Sequence, residues 1–165
     1  MTKTHWKATM DLDWIGAYTL PEGKPINVTL VSVKNERVKV RGREGIHKVA
    51  RFAKNKYFDR PMLIGAKVNM KRLERLIGSE YFEDWANINI NVTLCREMDL
   101  KYGGKKGEKD WALRFAEQAP TLPKLNPKSE KWADAKKAFK AGNVTKEQIK
   151  SNYDITDKDM EALGA

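Results

Sequence analysis

The first third of the chain alternates apolar and polar residues in a way that predicts β-strands. β-Branched residues dominate one segment, INVTLVSV at 26–33, with a proline directly before it and an asparagine shortly after it. A second segment, VKVRGR at 38–43, alternates apolar with basic residues, so its cations are predicted to share one face of a strand. These cations are Lys39, Arg41 and Arg43. Two further strands are predicted at 46–53 and 60–66.

The middle of the chain changes to a helical period and then returns to strands. Between Asn69, a predicted N-cap, and Gly78, a predicted left-handed C-terminal residue, apolar residues recur every three or four positions. Strands are predicted again at 90–98 and 111–115. Strand segments, then one helix, then two strands predict a mainly β fold with α, a five-stranded OB-fold-like Greek-key barrel with its helix between the third and fourth strands. A split sheet covered by one helix would show the same order.

A proline-rich stretch separates this pattern from a helical C-terminal part. The predicted organisation is an OB-fold-like barrel domain at 1–120, a proline-rich linker at 121–128 and a small helical appendage at 129–165. In the appendage, Ser129 is predicted to cap one helix and Thr145 to begin a capping box. The appendage is too short to bury a large core of its own.

The positive charge of the chain is concentrated in one segment. The formal net charge is +10, and residues 34–60 carry ten Lys or Arg against three acidic residues. The two later segments, 61–117 and 118–165, are close to balanced, with net charges of +1 and +2. An excess of this kind favours a polyanionic partner, of which nucleic acid is the first candidate and an acidic membrane surface the second.

Several other classes of function are disfavoured by the residues that the chain contains. Cys95 is the single cysteine and there are two histidines, so neither a disulfide framework nor a metal site is expected. No catalytic triad or phosphate-binding loop can be assembled, which predicts a non-enzymatic protein without a cofactor. The N-terminus lacks the apolar core of a signal peptide, and no apolar run approaches the roughly 20 residues of a membrane span. A cytoplasmic location without membrane contact is therefore expected.

A basic, glycine-rich loop lies between the last two predicted strands, within DLKYGGKKGEKDWALRF at 99–115. Lysines bind phosphates and an aromatic ring stacks on a base, which are the two requirements of single-strand binding. In an OB-fold this loop and the early strands form the binding face, so we expect the two basic segments to converge on one groove. The predicted nucleic-acid contacts are Lys39, Arg41, Arg43, Lys48, Arg51, Lys101, Tyr102, Lys105, Lys106, Lys109 and Arg114. For Arg114, an ion pair with Glu97 or Glu83 is the alternative.

Residues 61–117 resemble a group of small bacteriophage proteins proposed to be OB-fold single-stranded DNA-binding proteins. The resemblance covers MLIGAKVNMKRLERLIG, YFEDWANINI and KKGEKDWALRF. The matching positions are Asn69, Leu73, Leu76, Gly78, Asp84, Trp85, Ile90, Ala112, Leu113, Arg114 and Phe115. The chain departs from the group at Gly65, where relatives often carry Asn, and at Ala86-Asn87, where they carry Gly-Lys.

The resemblance implies a virus-encoded, non-catalytic protein that binds single-stranded DNA in phage replication or recombination, in the cytoplasm of a bacterial host. Two other functions stay open. The chain would serve as a protein-interaction module if the helical appendage or a sheet edge bound a replication or host-defence protein. It would bind duplex DNA or structured RNA if the same charge acted without base stacking.

Overall fold

The computed structural model describes residues 13–99 and 109–164, and the chain divides into two compact units, Met1–Pro120 and Thr121–Ala165. The first unit is mainly β with α, as predicted. Its strands are β1 (Ile26–Val40), β2 (Arg43–Phe52), β3 (Met62–Leu63), β4 (Ile90–Asp99) and β5 (Asp110–Phe115). The helix α1 (Lys67–Ile77) lies between β3 and β4 in the chain, and a short 3-10 helix (Phe82–Ala86) follows it.

The five strands form one antiparallel sheet in the order β3-β2-β1-β4-β5. The two segments predicted separately at 26–33 and 38–43 join into β1, which is long enough to pair with two neighbours. Its first residues pair with β4, and the remainder pairs with β2. Leu30 lies opposite both Ile90 and Phe52, and the register with β2 shifts between Leu30 and Ser32. β1 is therefore the central strand on which the sheet is assembled.

The predicted closure into a barrel does not occur, because other groups occupy the edge of β5. The side-chain amide of Asn69 donates to the carbonyl of Leu113 and accepts from the N–H of Phe115, both at 3.1 Å. Arg72 donates to the carbonyl of Phe115 at 2.8 Å. Within the described residues, no ladder joins β3 to β5. The peptide groups that a neighbouring strand would satisfy are instead satisfied by α1.

The segment before β1 bridges the same gap. The N–H of Ile15 donates to the carbonyl of Pro61 at 2.9 Å, immediately before β3. The hydroxyl of Tyr18 donates to the carboxylate of Asp110, at the start of β5. Ile15, Ala17 and Leu20 are buried in the core of the unit. This segment thus covers the apolar interior at the place where the sheet is open.

Apolar side chains from every strand and from α1 pack into one core. Phe52 of β2 stacks on Phe115 of β5 with ring centroids 6.4 Å apart, so the two strands meet across that core. Trp85 is buried as predicted, and its indole N–H donates to the carbonyl of Ser79 at 3.0 Å. The fully buried side chains of this unit include Leu30, Val33, Leu73, Val92, Leu94 and Phe115.

One end of α1 is as predicted and the other is not. Gly78 ends the helix with φ 79° in the left-handed region, which glycine adopts without steric strain. At the start, Ala66 is the N-cap, and Asn69 lies inside the first turn. The prediction of Asn69 as the N-cap is wrong because its amide bonds to β5 rather than to its own helix.

The second unit contains α2 (Trp132–Lys140), α3 (Lys146–Asn152) and α4 (Asp157–Gly164). Its core includes Leu125, Ile149, Met160 and Leu163. Leu125 belongs to the segment predicted as a linker, yet it is only 1% exposed and its N–H donates to the carbonyl of Asp154 at 3.0 Å. The core of the second unit therefore includes a residue of that segment as well as residues of the helices.

Two capping predictions in this unit have opposite outcomes. The capping box at Thr145 is confirmed, since Thr145 and Gln148 exchange side-chain-to-backbone hydrogen bonds of 3.3 and 2.8 Å. Ser129 does not cap a helix. Its hydroxyl accepts from the N–H of Asn126 at 2.8 Å, and α2 begins only at Trp132.

We expect Asn69→Ala to lower the free energy of unfolding by about 2–4 kcal/mol, because two buried peptide groups of β5 lose their partner. Urea denaturation followed by circular dichroism measures this loss. The matched control is Asn87→Ala at an exposed position, for which the change is expected to stay within about 0.5 kcal/mol. Equal stability of the two variants would show that α1 does not hold the edge of β5.

Candidate nucleic-acid interface

β1 and β2 continue past the rest of the sheet as a two-stranded hairpin, residues 34–48, which is termed the arm. The ladder of β1 with β4 ends at Leu30, and the ladder of β2 with β3 uses Val49 and Ala50. A hydrogen bond of 2.9 Å from the N–H of Ile64 to the carbonyl of Lys48 marks the base of the arm. Most side chains of the arm are exposed.

The arm reverses direction in a two-residue turn. Val40 lies opposite Arg43, and the two residues between them have positive φ, 49° for Arg41 and 81° for Gly42. This combination is a type I′ turn, whose twist matches that of a β-hairpin. The prediction that Lys39, Arg41 and Arg43 share one face of a strand is wrong, because the chain turns between them.

The register divides the arm into two faces, since directly opposed residues of an antiparallel pair lie on the same side. One face continues from the buried residues Val33 and Ala50. This surface, termed the Ile46 face, carries Asn35, Arg37, Lys39, Glu44, Ile46 and Lys48. The opposite surface, termed the Arg43 face, carries Lys34, Glu36, Val38, Val40, Arg43 and His47, with Arg51 below the base of the arm.

The cations of the arm differ in how far nearby carboxylates compensate them. Arg51 donates twice to the carboxylate of Glu36, at 2.6 and 2.9 Å, and this contact lowers the pKa of Glu36. The carboxylate of Glu36 therefore largely compensates the positive charge of Arg51. In the described part of the chain, no ion pair involves any of the exposed cations Arg37, Lys39, Arg41 and Arg43.

Aromatic rings flank the base of the arm. The ammonium of Lys48 lies 5.8 Å from the centroid of the Phe82 ring. The neighbouring Tyr81 is 64% exposed, unusual for a large aromatic residue next to a buried tryptophan. Sequence reasoning missed both rings because an aromatic cluster just before a strand is usually core. In the sequence the two rings lie between the acidic residues Glu80 and Glu83, which gives no signal for contact with a polyanion.

Arg114 does not face a groove, so this predicted contact is wrong. The residue is only 3% exposed, and its guanidinium pairs with the carboxylate of Asp99. It also donates to the carbonyl of Leu113 at 3.1 Å. The predicted alternative partner Glu97 instead pairs with Arg72, at 2.7 Å. A buried guanidinium requires such partners because an unpaired charge in the interior is strongly unfavourable.

The predicted convergence of the arm with the β4–β5 connection finds no support in the register. Lys101, Tyr102, Lys105 and Lys106 lie outside the described residues, and Lys109 is exposed just before β5. Ile26 lies opposite Leu94, so β4 runs past the start of β1 towards the connection. The arm lies at the other end of β1, where Val40 leads into the turn. The arm and the described ends of the β4–β5 connection, Asp99 and Asp110, thus lie towards opposite ends of the central strand.

In residues 13–99 and 109–164, no three His, Cys, Asp or Glu side chains are grouped to hold a metal ion. Nor does any helix in those ranges have the length and apolar character to cross a bilayer. Comparison of the chain with family models, with curated proteins and with solved structures gives no match. The functional assignment of the arm therefore depends on its charge and geometry.

We expect Arg41→Asn to raise the free energy of unfolding by about 0.5 kcal/mol, because asparagine tolerates the left-handed conformation better than arginine. The matched variant Arg41→Val is expected to lower it by about 1 kcal/mol or more, since a β-branched residue is strained at positive φ. Urea denaturation of the two variants measures the difference. If Val proved as stable as Asn, the turn would not be of type I′.

We expect Cys95 to react slowly with a thiol reagent in the folded protein. Burial raises the pKa of this half-buried thiol, and the carboxylate of Glu97 raises it further. The reactive thiolate therefore appears only as the pH rises above the ordinary cysteine value of about 8.5. Rates measured between pH 7 and 10 test this, with the urea-unfolded protein as the control. Equal rates in the folded and unfolded protein at pH 8 would contradict it.

Proposed function

We propose that this protein binds single-stranded DNA without catalysis and largely without sequence preference, through the arm. The observation that carries the proposal is a two-stranded projection with six cations, none of which forms an ion pair with any described residue. Lys and Arg side chains bind phosphates and release the counterions condensed on the strand, which favours association. The cations are Lys34, Arg37, Lys39, Arg41, Arg43 and Lys48.

Two features favour a single strand over a duplex. The half-buried ring of Phe82 lies beside Lys48 at the base of the arm, and the preceding residue, Tyr81, has an exposed ring on which an unpaired base can stack. Ile46 is an exposed apolar side chain among the cations and suits contact with bases or sugars rather than with phosphates. A paired and stacked duplex would leave both features unused.

The fold is compatible with this proposal. An OB-fold is a partly open five-stranded barrel, so an open edge between β3 and β5 fits an OB-like arrangement. The resemblance to phage proteins spans Asn69 and the strand from Ala112 to Phe115, two segments that hydrogen bond to each other. We accordingly propose that the protein acts in phage DNA replication or recombination in a bacterial cytoplasm.

Salt titration of oligonucleotide binding is the experiment that tests the function. With six phosphate contacts, the logarithm of the affinity for a single strand is expected to fall with the logarithm of salt at a slope of about −4. Fluorescence anisotropy with single-stranded DNA, duplex DNA and single-stranded RNA of equal length measures the slope and the preference. Tighter binding to the duplex would contradict the proposal. Indifference to all three probes would favour the protein-interaction alternative.

We expect the double variant Arg37→Glu/Lys39→Glu to weaken single-strand binding at least tenfold and to make the salt slope shallower by about 1.4. The matched control is Lys67→Glu/Lys71→Glu, which makes the same charge change at exposed positions of α1. The control is expected to weaken binding by less than about threefold, through the long-range field alone. Equal losses in the two variants would mean that net charge matters and the arm does not.

A further inference from the structure

We infer that the DNA strand follows the Ile46 face of the arm and continues onto Tyr81 and Phe82 at its base, rather than lying on the Arg43 face. This inference rests on the proposed function and adds to it which side of the arm contacts the bases. The proposed occupant is a single strand, because the surface combines cations that suit phosphates with exposed apolar groups that unpaired bases can cover.

Ile46 is the centre of this surface. It is 69% exposed on β2, directly opposite Arg37. Lys48 lies two residues further along the same face, and Lys39 lies two residues from Arg37 on the neighbouring strand. Phosphates held by these three cations would bring the attached bases or sugars against the apolar side chain. Covering it removes apolar surface from water, which is favourable.

The base of the arm continues the same surface. Lys48 is the last cation of the Ile46 face, and its ammonium lies over the Phe82 ring. Tyr81, one residue earlier, is held by its backbone. Its N–H donates to the hydroxyl of Ser79 at 3.2 Å, and its carbonyl accepts from the N–H of Asp84 at 3.2 Å. The exposed ring thus projects from a backbone that is already ordered before any base stacks on it.

The Arg43 face lacks this combination. Its strongest local interaction is the pair between Glu36 and Arg51, which places a carboxylate on the surface and offsets a cation. Val38, the apolar residue at its centre, is half-buried and lies opposite Gly45, which has no side chain to extend the surface. The proposed path also carries carboxylates. Glu44 lies opposite Lys39 near the tip, and the exposed residues Glu80, Glu83 and Asp84 flank Tyr81 and Phe82 at the base.

Matched substitutions on the two faces test the inference. Ile46→Thr and Val38→Thr both replace an apolar β-branched residue by a polar one of similar shape. We expect Ile46→Thr to weaken binding of a single-stranded oligothymidylate about fivefold, and Val38→Thr to change it less than twofold. Tyr81→Ala is expected to weaken binding about fivefold or more, the loss of one stacked base. Urea midpoints confirm that each variant is folded.

Photo-crosslinking of the unaltered protein provides a second readout that does not depend on the stability of a variant. An oligonucleotide carrying 5-iodouracil attaches preferentially to aromatic side chains on which the base is stacked, and mass spectrometry of the digest locates the attachment. We expect crosslinks at Tyr81 or Phe82.

The outcomes separate this inference from the proposed function. If the charge-reversed arm loses binding while Ile46→Thr and Tyr81→Ala behave like Val38→Thr, the arm binds DNA but the choice of face is wrong. Crosslinks confined to other aromatic residues would likewise overturn it. If the unaltered protein binds no single strand, both proposals fail together.

Discussion

A buried asparagine amide completes the sheet on which the rest of the first unit is built. Asn69 satisfies the carbonyl of Leu113 and the N–H of Phe115, so that α1 takes the place of a neighbouring strand along β5. Buried peptide groups must find partners, and a side-chain amide that donates and accepts at the same time can replace a strand at a single step of the ladder. These two peptide groups of β5 are thereby satisfied without closure of the sheet into a barrel.

The arm is stabilised differently, because none of its side chains is fully buried in the core. Its cations repel each other, and only the β1–β2 ladder and the turn at Arg41-Gly42 hold them together. A polyanion bound there, as proposed above, would relieve that repulsion, so that binding and ordering of the arm would favour each other. In the free protein the cluster of like charges costs the hairpin some stability.

Local patterns in the sequence predict local structure well. The strands, the end of α1 at Gly78 and the capping box at Thr145 depend on residues a few positions apart. The long-range contacts that complete the sheet do not. Asn69 and Phe115 are 46 residues apart in the chain, and the role of Asn69 at a strand edge has no periodicity that could reveal it. Gly42 indicates a bulge or a sharp bend, but a hairpin turn was not predicted there because Arg-Gly lacks the asparagine or aspartate that usually signals a type I′ turn.

The two-residue turn has a consequence for how the hairpin can vary among related chains. Side chains alternate along each strand of the arm, so one residue added to or lost from one strand would move the side chains of that strand beyond the change to the other side. A length change below the Arg37–Ile46 pair keeps the two residues opposite each other only if both strands change by the same number of residues. The pair stays on the same side of the arm only if that number is even. Homologous hairpins are therefore expected to differ in length by multiples of four residues, with intermediate lengths requiring a bulge to restore the register.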